Sequence, residues 1–479
     1  MTVYIEGHSF DYEMENVARM FFGDVTVKHG RPEEDAWEYV YLQRDGMSLH
    51  CEVEFEGCHR QSDDVGGVSD KDDERLLAVM MYDSLCRVTA KRPPWGVMTG
   101  IRPAKFAASL LNEGSGAEKV IERLCRDYRV TPSKAALCVS TAMQSARAAG
   151  NSTEKSYSLY VSIPFCPSRC SYCSFVSKTV GRDRSMLGTY LEKLCEELRY
   201  TAAIAKKLDL HLESAYIGGG TPSVLDAAQL KTLTDTVNAE FGADKCPEYC
   251  VEAGRPDTIT RDKLDVLKAA GITRISINPQ TGSDEVLKKA GRLHTRRDIE
   301  DCFAMAREAG FDNINADLIA GLPGDSLEGF EDSLNWISSL DPENITVHAL
   351  TLKRASFLTE TGDRPAENVS AMVDYALDFL SEKNYQPYYM YKQKGTVDSL
   401  ENTGYAKPGY ECLYNIYIMD EIHTILACGG GAVTKMKNPR TGRIERIFNY
   451  KYPNEYINGF DEILRRKDGV EKFYSEFTE

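Results

Sequence analysis

SLYVSIPFCPSRCSYCSF, residues 158–175, is an apolar β-like run ending in a loop that carries Cys166, Cys170 and Cys173. Three thiolates on so short a loop can wrap a single metal centre. Structural zinc wants four ligands, usually in two C-x2–4-C pairs, and no partner pair lies near. The other close pair is Cys246-x3-Cys250, and Cys250 falls on a predicted strand, where a core thiol is expected. Three cysteines suit a [4Fe–4S] cubane with one iron left open. Cys51, Cys58, Cys86, Cys125, Cys138, Cys195, Cys302 and Cys412 are scattered singly through apolar patterns and read as small buried hydrophobes.

Outward from this stretch, short β-like runs alternate with amphipathic helices from Tyr157 to about Leu352. The predicted strands are Ser158–Ile163, Ser214–Gly218, Tyr249–Ala253, Arg274–Ile277, Asn313–Ile319 and Asn344–Leu350. Leu187, Leu191, Leu194 and Leu198 mark one face of a helix between the first two, and Leu230, Leu233 and Val237 mark the next. About six β/α units in a row predict an α/β fold, a parallel barrel or partial barrel, with its active site at the C-terminal ends of the strands. Residues 1–150 read as a separate α+β region, with a hairpin turn at Arg44-Asp45-Gly46 and helical stretches over Asp72–Arg92 and Ala117–Ala149. Between those stretches KRPPWGVMTGIRPAKF predicts a structured loop leading into a helix, and NSTEKSY, residues 150–156, a linker. Residues 354–479 mix helix and strand signals, with a Gly429–Gly431 run among small and apolar neighbours.

The chain of 479 residues exceeds what one core usually serves. Its 42% hydrophobic and 27% charged residues are the balance of a globular enzyme. A formal net charge of −16 repels phosphate backbones, and no basic stripe offsets it, so no nucleic-acid partner is expected. The N-terminus lacks a basic region followed by an apolar run, and no apolar stretch approaches the roughly 20 residues that span a bilayer. A cytoplasmic location follows as the expectation, and in a reducing cytosol the 14 cysteines read as buried thiols or metal ligands rather than disulfides.

Tyr160-Val-Ser-Ile-Pro-Phe-Cys166-x3-Cys170-Ser-Tyr172-Cys173 resembles the radical S-adenosylmethionine (SAM) superfamily, and within it the oxygen-independent coproporphyrinogen III oxidase family. Phe175 stands where the HemW and HemZ branches carry Phe, and CPSRCSYCSF, PWGVMTGIRPAKF and NTGYAKPGYECLYN favour the HemZ-like branch. The resemblance implies a partial (β/α)6 TIM barrel over 157–352, an N-terminal α+β domain over 1–150 and a C-terminal α/β capping domain over 354–479. It also implies that the open iron chelates the amino and carboxylate groups of SAM, so that one electron releases a 5′-deoxyadenosyl radical.

Gly218-Gly219-Gly220-Thr221 ends the second predicted strand, and its glycines let the backbone approach a ligand closely. In order after the cysteine loop it matches the family's SAM-contacting motif. Glu252 and Gln280 end the third and fourth predicted strands, Arg292 follows in GRLH, where Arg offers bidentate recognition of a carboxylate, and Asp317 is an acidic residue inside an apolar strand. The family enzyme holds two SAM molecules. By resemblance Tyr160, Gly219 and Glu252 match the set for the first, and Gly220, Thr221, Gln280, Arg292 and Asp317 that for the second. Tyr172 matches an aromatic position near the cofactors, and Thr351 a contact after the sixth strand. Ser162 departs from the pattern, standing where the family commonly has His. His294 and His348 are further catalytic candidates.

The implied reaction is oxidative decarboxylation of two propionates of coproporphyrinogen III to vinyls in haem biosynthesis, with a low-potential donor such as flavodoxin or ferredoxin. Arg102 and Lys105 are candidates to meet substrate carboxylates. Two alternatives stay open: a haem-binding chaperone like the HemW branch, and radical chemistry on another tetrapyrrole or on RNA, the last disfavoured by the acidic charge.

Overall fold

A computed structural model describes residues 1–173, 175, 177–181, 184–352 and 363–476. Two units emerge: Met1–Ala142 with Tyr391–Glu401, and Met143–Met390 with Asn402–Glu479. The predicted start of a third region at 354 lies outside the described residues.

In the first unit, β1 (Thr2–Glu6), β2 (Thr26–His29), β3 (Tyr39–Asp45), β4 (Ser48–Phe55) and β5 (Cys58–Val65) form one sheet in the order β2-β1-β3-β4-β5. Asp45 pairs with Ser48 across the predicted hairpin, and Gly46 takes the positive φ its turn needs. Alternate residues of β1, β3 and β4, among them Val3, Ile5, Val40, Leu42, Leu49 and Val53, pack against Leu77, Met81 and Leu85 of helix Asp70–Thr89. Each large apolar side chain buried this way contributes about 1.5–3 kcal/mol. The helix predicted as one piece over 117–149 is two, Ala117–Tyr128 and Pro132–Ala149. Arg129 closes the first in a left-handed conformation and Pro132 opens the second, because proline lacks the N–H an interior position needs. The returning segment brings Glu401 to Lys134, 2.6 Å away with both fully buried, and to Trp95 Nε1 at 2.7 Å. Cys58 corrects the reading of the single cysteines: it is exposed, at the start of the edge strand β5.

The second unit is built on β6 (Ser156–Ile163), β9 (His211–Gly219), β10 (Glu248–Gly254), β11 (Arg274–Ile277), β12 (Ile314–Ala320) and β13 (Asn344–Ala349), which pair in parallel in that order. Their apolar runs are buried, Leu159, Val161, Ile217, Ile275 and Leu318 completely, as strands covered on both faces require. Helix Ser185–Lys207 buries the four predicted leucines, and helix Ala227–Phe241 buries Leu230, Leu233 and Val237. This is the partial (β/α)6 barrel. A short pairing of β7 (Phe165–Cys166) with β8 (Lys178–Thr179) closes the cysteine loop at its base.

The C-terminal residues extend the same sheet at both ends. β14 (Gln386–Lys392) and β15 (Glu401–Ala406) follow β13, and β16 (Thr424–Cys428), β17 (Val433–Lys437) and β18 (Ile444–Phe448) follow β6. β16 runs parallel to β6, from Tyr157↔Thr424 to Val161↔Cys428. Behind it Glu197 accepts from Gly429 N, Asn449 Nδ2 and Tyr456 Oη at 2.7–2.8 Å and pairs with Lys467 at 3.0 Å, both charges fully buried. Every bonding direction of the carboxylate is used, which offsets the cost of burying it. Among the described residues no helix is long and apolar enough to cross a membrane.

Candidate active site

The cluster and SAM candidates lie on β6, β9, β10 and β12 or in the segments that follow β6, β9, β11 and β13. β6 ends at Ile163, and the chain turns through Pro164 into the cysteine loop. Thr221 ties that loop to the glycine turn: its N–H donates to Phe165 O at 2.7 Å and its Oγ1 to Cys166 Sγ at 3.5 Å. The Cys173 amide donates to Cys170 O at 3.2 Å, and Ser171 N donates to Ala290 O at 3.0 Å. Cys170 is buried, while Cys166 and Cys173 are half-buried.

The glycines at the end of β9 are there for space. A Cβ at Gly218 would stand 2.8 Å from the Tyr216 ring and 2.9 Å from the Glu252 carboxyl, and one at Gly220 would stand 2.5 Å from Phe165 O. Gly219 has φ +110° and turns its N–H to Glu252 Oε2 at 3.2 Å. The other carboxylate oxygen accepts from Tyr216 Oη at 2.6 Å. Burial outweighs both bonds, with Asp317 adding repulsion, and pushes the Glu252 carboxyl up to about 7. Asp317 accepts from Asn315 Nδ2 at 2.8 Å, with His348 Nε2 at 3.9 Å.

Raised from 4.5 to about 7, Glu252 costs the fold progressively more as pH climbs through that window, because the unfolded chain ionises it more readily. Glu252→Gln lacks this cost. In thermal melts of unloaded protein, the Tm of Glu252→Gln minus that of wild type is expected to grow from pH 5 to pH 8. A difference constant with pH would contradict the raised carboxyl.

Gln280 lies three residues beyond β11 and has φ +72°, uncommon for a side chain of its size. Its N–H donates to Asp317 O at 2.8 Å and its carbonyl accepts from Ile319 N at 2.9 Å, so β12 holds it there. Arg292, 8% exposed, donates from Nε to Tyr172 Oη at 2.9 Å and from Nη1 to Asn278 O at 2.7 Å, and its charge lies beside Cys170. Thr351 follows β13, its Oγ1 3.4 Å from Ala349 O. His294 is buried with both ring nitrogens unpartnered among the described residues; burial first, then the Arg292 charge, push its imidazole down to about 4, so it is neutral. Arg102 and Lys105 belong to the first unit, at the start of helix Pro103–Asn112.

Three features of the site were missed in the sequence. Tyr160 lies in a stack with Tyr216, rings 6.2 Å apart, and Tyr414, 6.0 Å apart, and the latter two are 4.5 Å from each other. Tyr216 alternates with Gly218 along β9, a period-two signal that was legible. Tyr414 comes from helix Leu413–Met419, whose first amides, Leu413 N and Tyr414 N, donate to the buried Glu248 at 2.9 Å. Ser162 donates to Gly430 O at 2.8 Å, so the Gly429–Gly431 run lies against the strand that leads to the cysteines. The third is Arg255, which reaches the cysteine loop from the end of β10.

The residues present fit a cubane cluster with SAM. The loop offers three sulfurs from one short segment, the glycine turn leaves a cradle that any Cβ would fill, and Asn278 Oδ1 and His294 are buried polar groups without partners among the described residues. Arg292, Glu252 and Asp317 supply opposite charges, as an amino acid carrying a ribose requires.

A sequence profile described as the Radical SAM superfamily matches residues 160–337. The chain is 34% identical over 98% of its length to the oxygen-independent coproporphyrinogen-III oxidase-like protein HemZ of Bacillus subtilis, 97% of which is covered. It is 32% identical over 61% of its length to the heme chaperone HemW of Bacillus subtilis, with 74% of that protein covered. With the heme chaperone HemW of Escherichia coli the identity is 30% over 67% of this chain and 81% of that one. Among solved structures, the coproporphyrinogen III oxidase HemN from Escherichia coli, a radical SAM enzyme, aligns with a TM-score of 0.54 at 24% identity, over 67% of this chain and 72% of that one. That likeness concerns the fold.

Proposed function

Because the chain belongs to the radical SAM superfamily, and within it to the family of oxygen-independent coproporphyrinogen-III oxidase-like proteins, we propose that it decarboxylates two propionate side chains of coproporphyrinogen III, or of a closely related tetrapyrrole, to vinyl groups. The observation that carries this reading is that the 34% identity to the HemZ protein runs through both units rather than through the radical SAM core alone.

When bound at the cysteine loop, a cluster would supply the electron for reductive cleavage of SAM. Cys166, Cys170 and Cys173 hold that cluster. Arg292 meets the methionyl carboxylate of SAM. Glu252 accepts from ribose hydroxyls, and Asp317 sits opposite, within reach of an amino group or a second SAM. Gly219, Gly220, Thr221 and Gln280 present backbone and amide groups to the same ligands, with Tyr160 and Tyr172 as apolar walls. Thr351 borders the site beyond β13. For each propionate, one hydrogen atom leaves the β-carbon to make 5′-deoxyadenosine. The substrate radical then passes one electron to an external one-electron acceptor and loses its carboxylate as CO2, which forms the vinyl double bond. The protein's share is positioning and exclusion of water.

The test is an anaerobic assay of the reconstituted protein with SAM, a low-potential reductant and coproporphyrinogen III, followed by mass spectrometry. The expected result is a joint rise of 5′-deoxyadenosine and the divinyl product, two 5′-deoxyadenosines per protoporphyrinogen. A rise of 5′-deoxyadenosine alone would keep the radical machinery and reject the substrate. The identity to HemW proteins favours a haem-chaperone role as the second reading. Saturable haem binding without decarboxylation would establish that role in its place.

A further inference from the structure

Arg255 follows the end of β10 and is 3% exposed, with a fixed backbone: Thr258 N and Thr258 Oγ1 donate to its carbonyl at 3.0 and 2.8 Å, and Pro256 follows it. Its guanidinium divides its N–H groups between two tasks. Nε and Nη2 fork onto the Asp257 carboxylate at 2.9 and 2.8 Å. Nη1 points the other way, to Ser168 Oγ at 2.7 Å, Ser168 O at 3.4 Å and Cys170 Sγ at 3.8 Å. Asp257 thus fixes the plane of the cation, and the remaining edge meets the loop between the first two cysteines. Lysine has no planar fork with which to hold both sides.

We infer that Arg255 is a positioning residue of the iron–sulfur site, fixing the loop through Ser168 and directing an N–H at the Cys170 sulfur so that the cluster accepts its electron at a less negative potential. This rests on the cluster reading above. Gaining an electron makes the cluster and its thiolates more negative, and an N–H aimed at a ligand sulfur stabilises that form more than the oxidised one. The neighbouring Arg292 acts in the same direction from beside Cys170. Asp257 offsets part of the Arg255 charge, so the directed N–H carries most of the effect.

An EPR-monitored redox titration of anaerobically reconstituted full-length protein tests this, with iron content measured on the same samples. In Arg255→Met the ratio of reduced to oxidised cluster at fixed potential is expected to fall about tenfold, a midpoint about 59 mV lower for a one-electron couple. Arg255→Lys keeps the charge and loses the fork, so it is expected to shift less and to lose iron to a chelator faster than wild type. Wild-type iron content with an unchanged midpoint in Arg255→Met would overturn the inference. Should Arg255→Met take up no iron, Arg255→Lys decides, and a wild-type midpoint with wild-type chelator resistance there overturns it. A wild-type protein that forms no cluster would overturn the cofactor reading first, and this inference with it.

Discussion

Cys166→Ala, Cys170→Ala and Cys173→Ala are each expected to leave anaerobically reconstituted protein with background iron, no iron–sulfur absorbance and no 5′-deoxyadenosine. Two thiolates cannot hold a cubane on a loop this short. Beside the loop, Thr221 is engaged with Phe165 and Cys166, and Arg255 with Asp257 and Ser168. The loss belongs to the ligand and not to the fold. The loop is anchored independently of its sulfurs, by Val180 N on Cys166 O at 2.9 Å and Ser171 N on Ala290 O at 3.0 Å. Melting temperatures of the metal-free variants should therefore stay close to wild type, since removing one small side chain here costs about 1 kcal/mol. Full iron occupancy in any of the three would remove that cysteine from the ligand set.

Arg292→Ala is expected to cut the rate of 5′-deoxyadenosine formation at low SAM by roughly 10- to 150-fold while leaving the iron content near wild type, the equivalent of about 1.5–3 kcal/mol for a lost hydrogen bond to a charged group. The guanidinium is buried and, among the described residues, has no carboxylate partner, resting instead on Tyr172 Oη and Asn278 O. A buried cation so placed is suited to an anionic ligand. Saturating SAM should recover part of the rate if the contact serves binding. An unchanged dependence on SAM would dismiss Arg292 from that role.

The parallel core was legible because fully covered strands are nearly continuous apolar runs. Arg274–Ile277 appears as read, and the other five predicted strands differ at their ends by one to three residues. The split of helix 117–149 is signalled by Pro132 but hidden by an apolar pattern that runs on through it. What could not be read depends on pairings across more than 200 residues. Nothing near Tyr160 announces that Tyr414 stacks on it, nor near Ser162 that it bonds Gly430. After 354 the same holds for β16, whose partner β6 lies more than 250 residues back, while β15 pairs with β13 about 60 residues before it. Arg255 is the nearer miss, an arginine in an Arg-Pro-Asp turn three residues past Glu252. Only the fold reveals that it faces Cys170, on the loop that follows β6 two strands away.

β16 lies beside β6, and that adjacency sets a schedule for the growing polypeptide. When Tyr157 leaves the ribosome, its partner Thr424 is still untranslated. At ordinary elongation rates of about 5–20 residues per second, the strand that leads to the cysteines waits roughly 10–50 s for the neighbour that completes its pairing. Throughout that interval the three thiols are already synthesised while one edge of their strand is bare. Iron delivered to the nascent chain before then meets a half-built site, so loading is favoured once β16 has docked on β6.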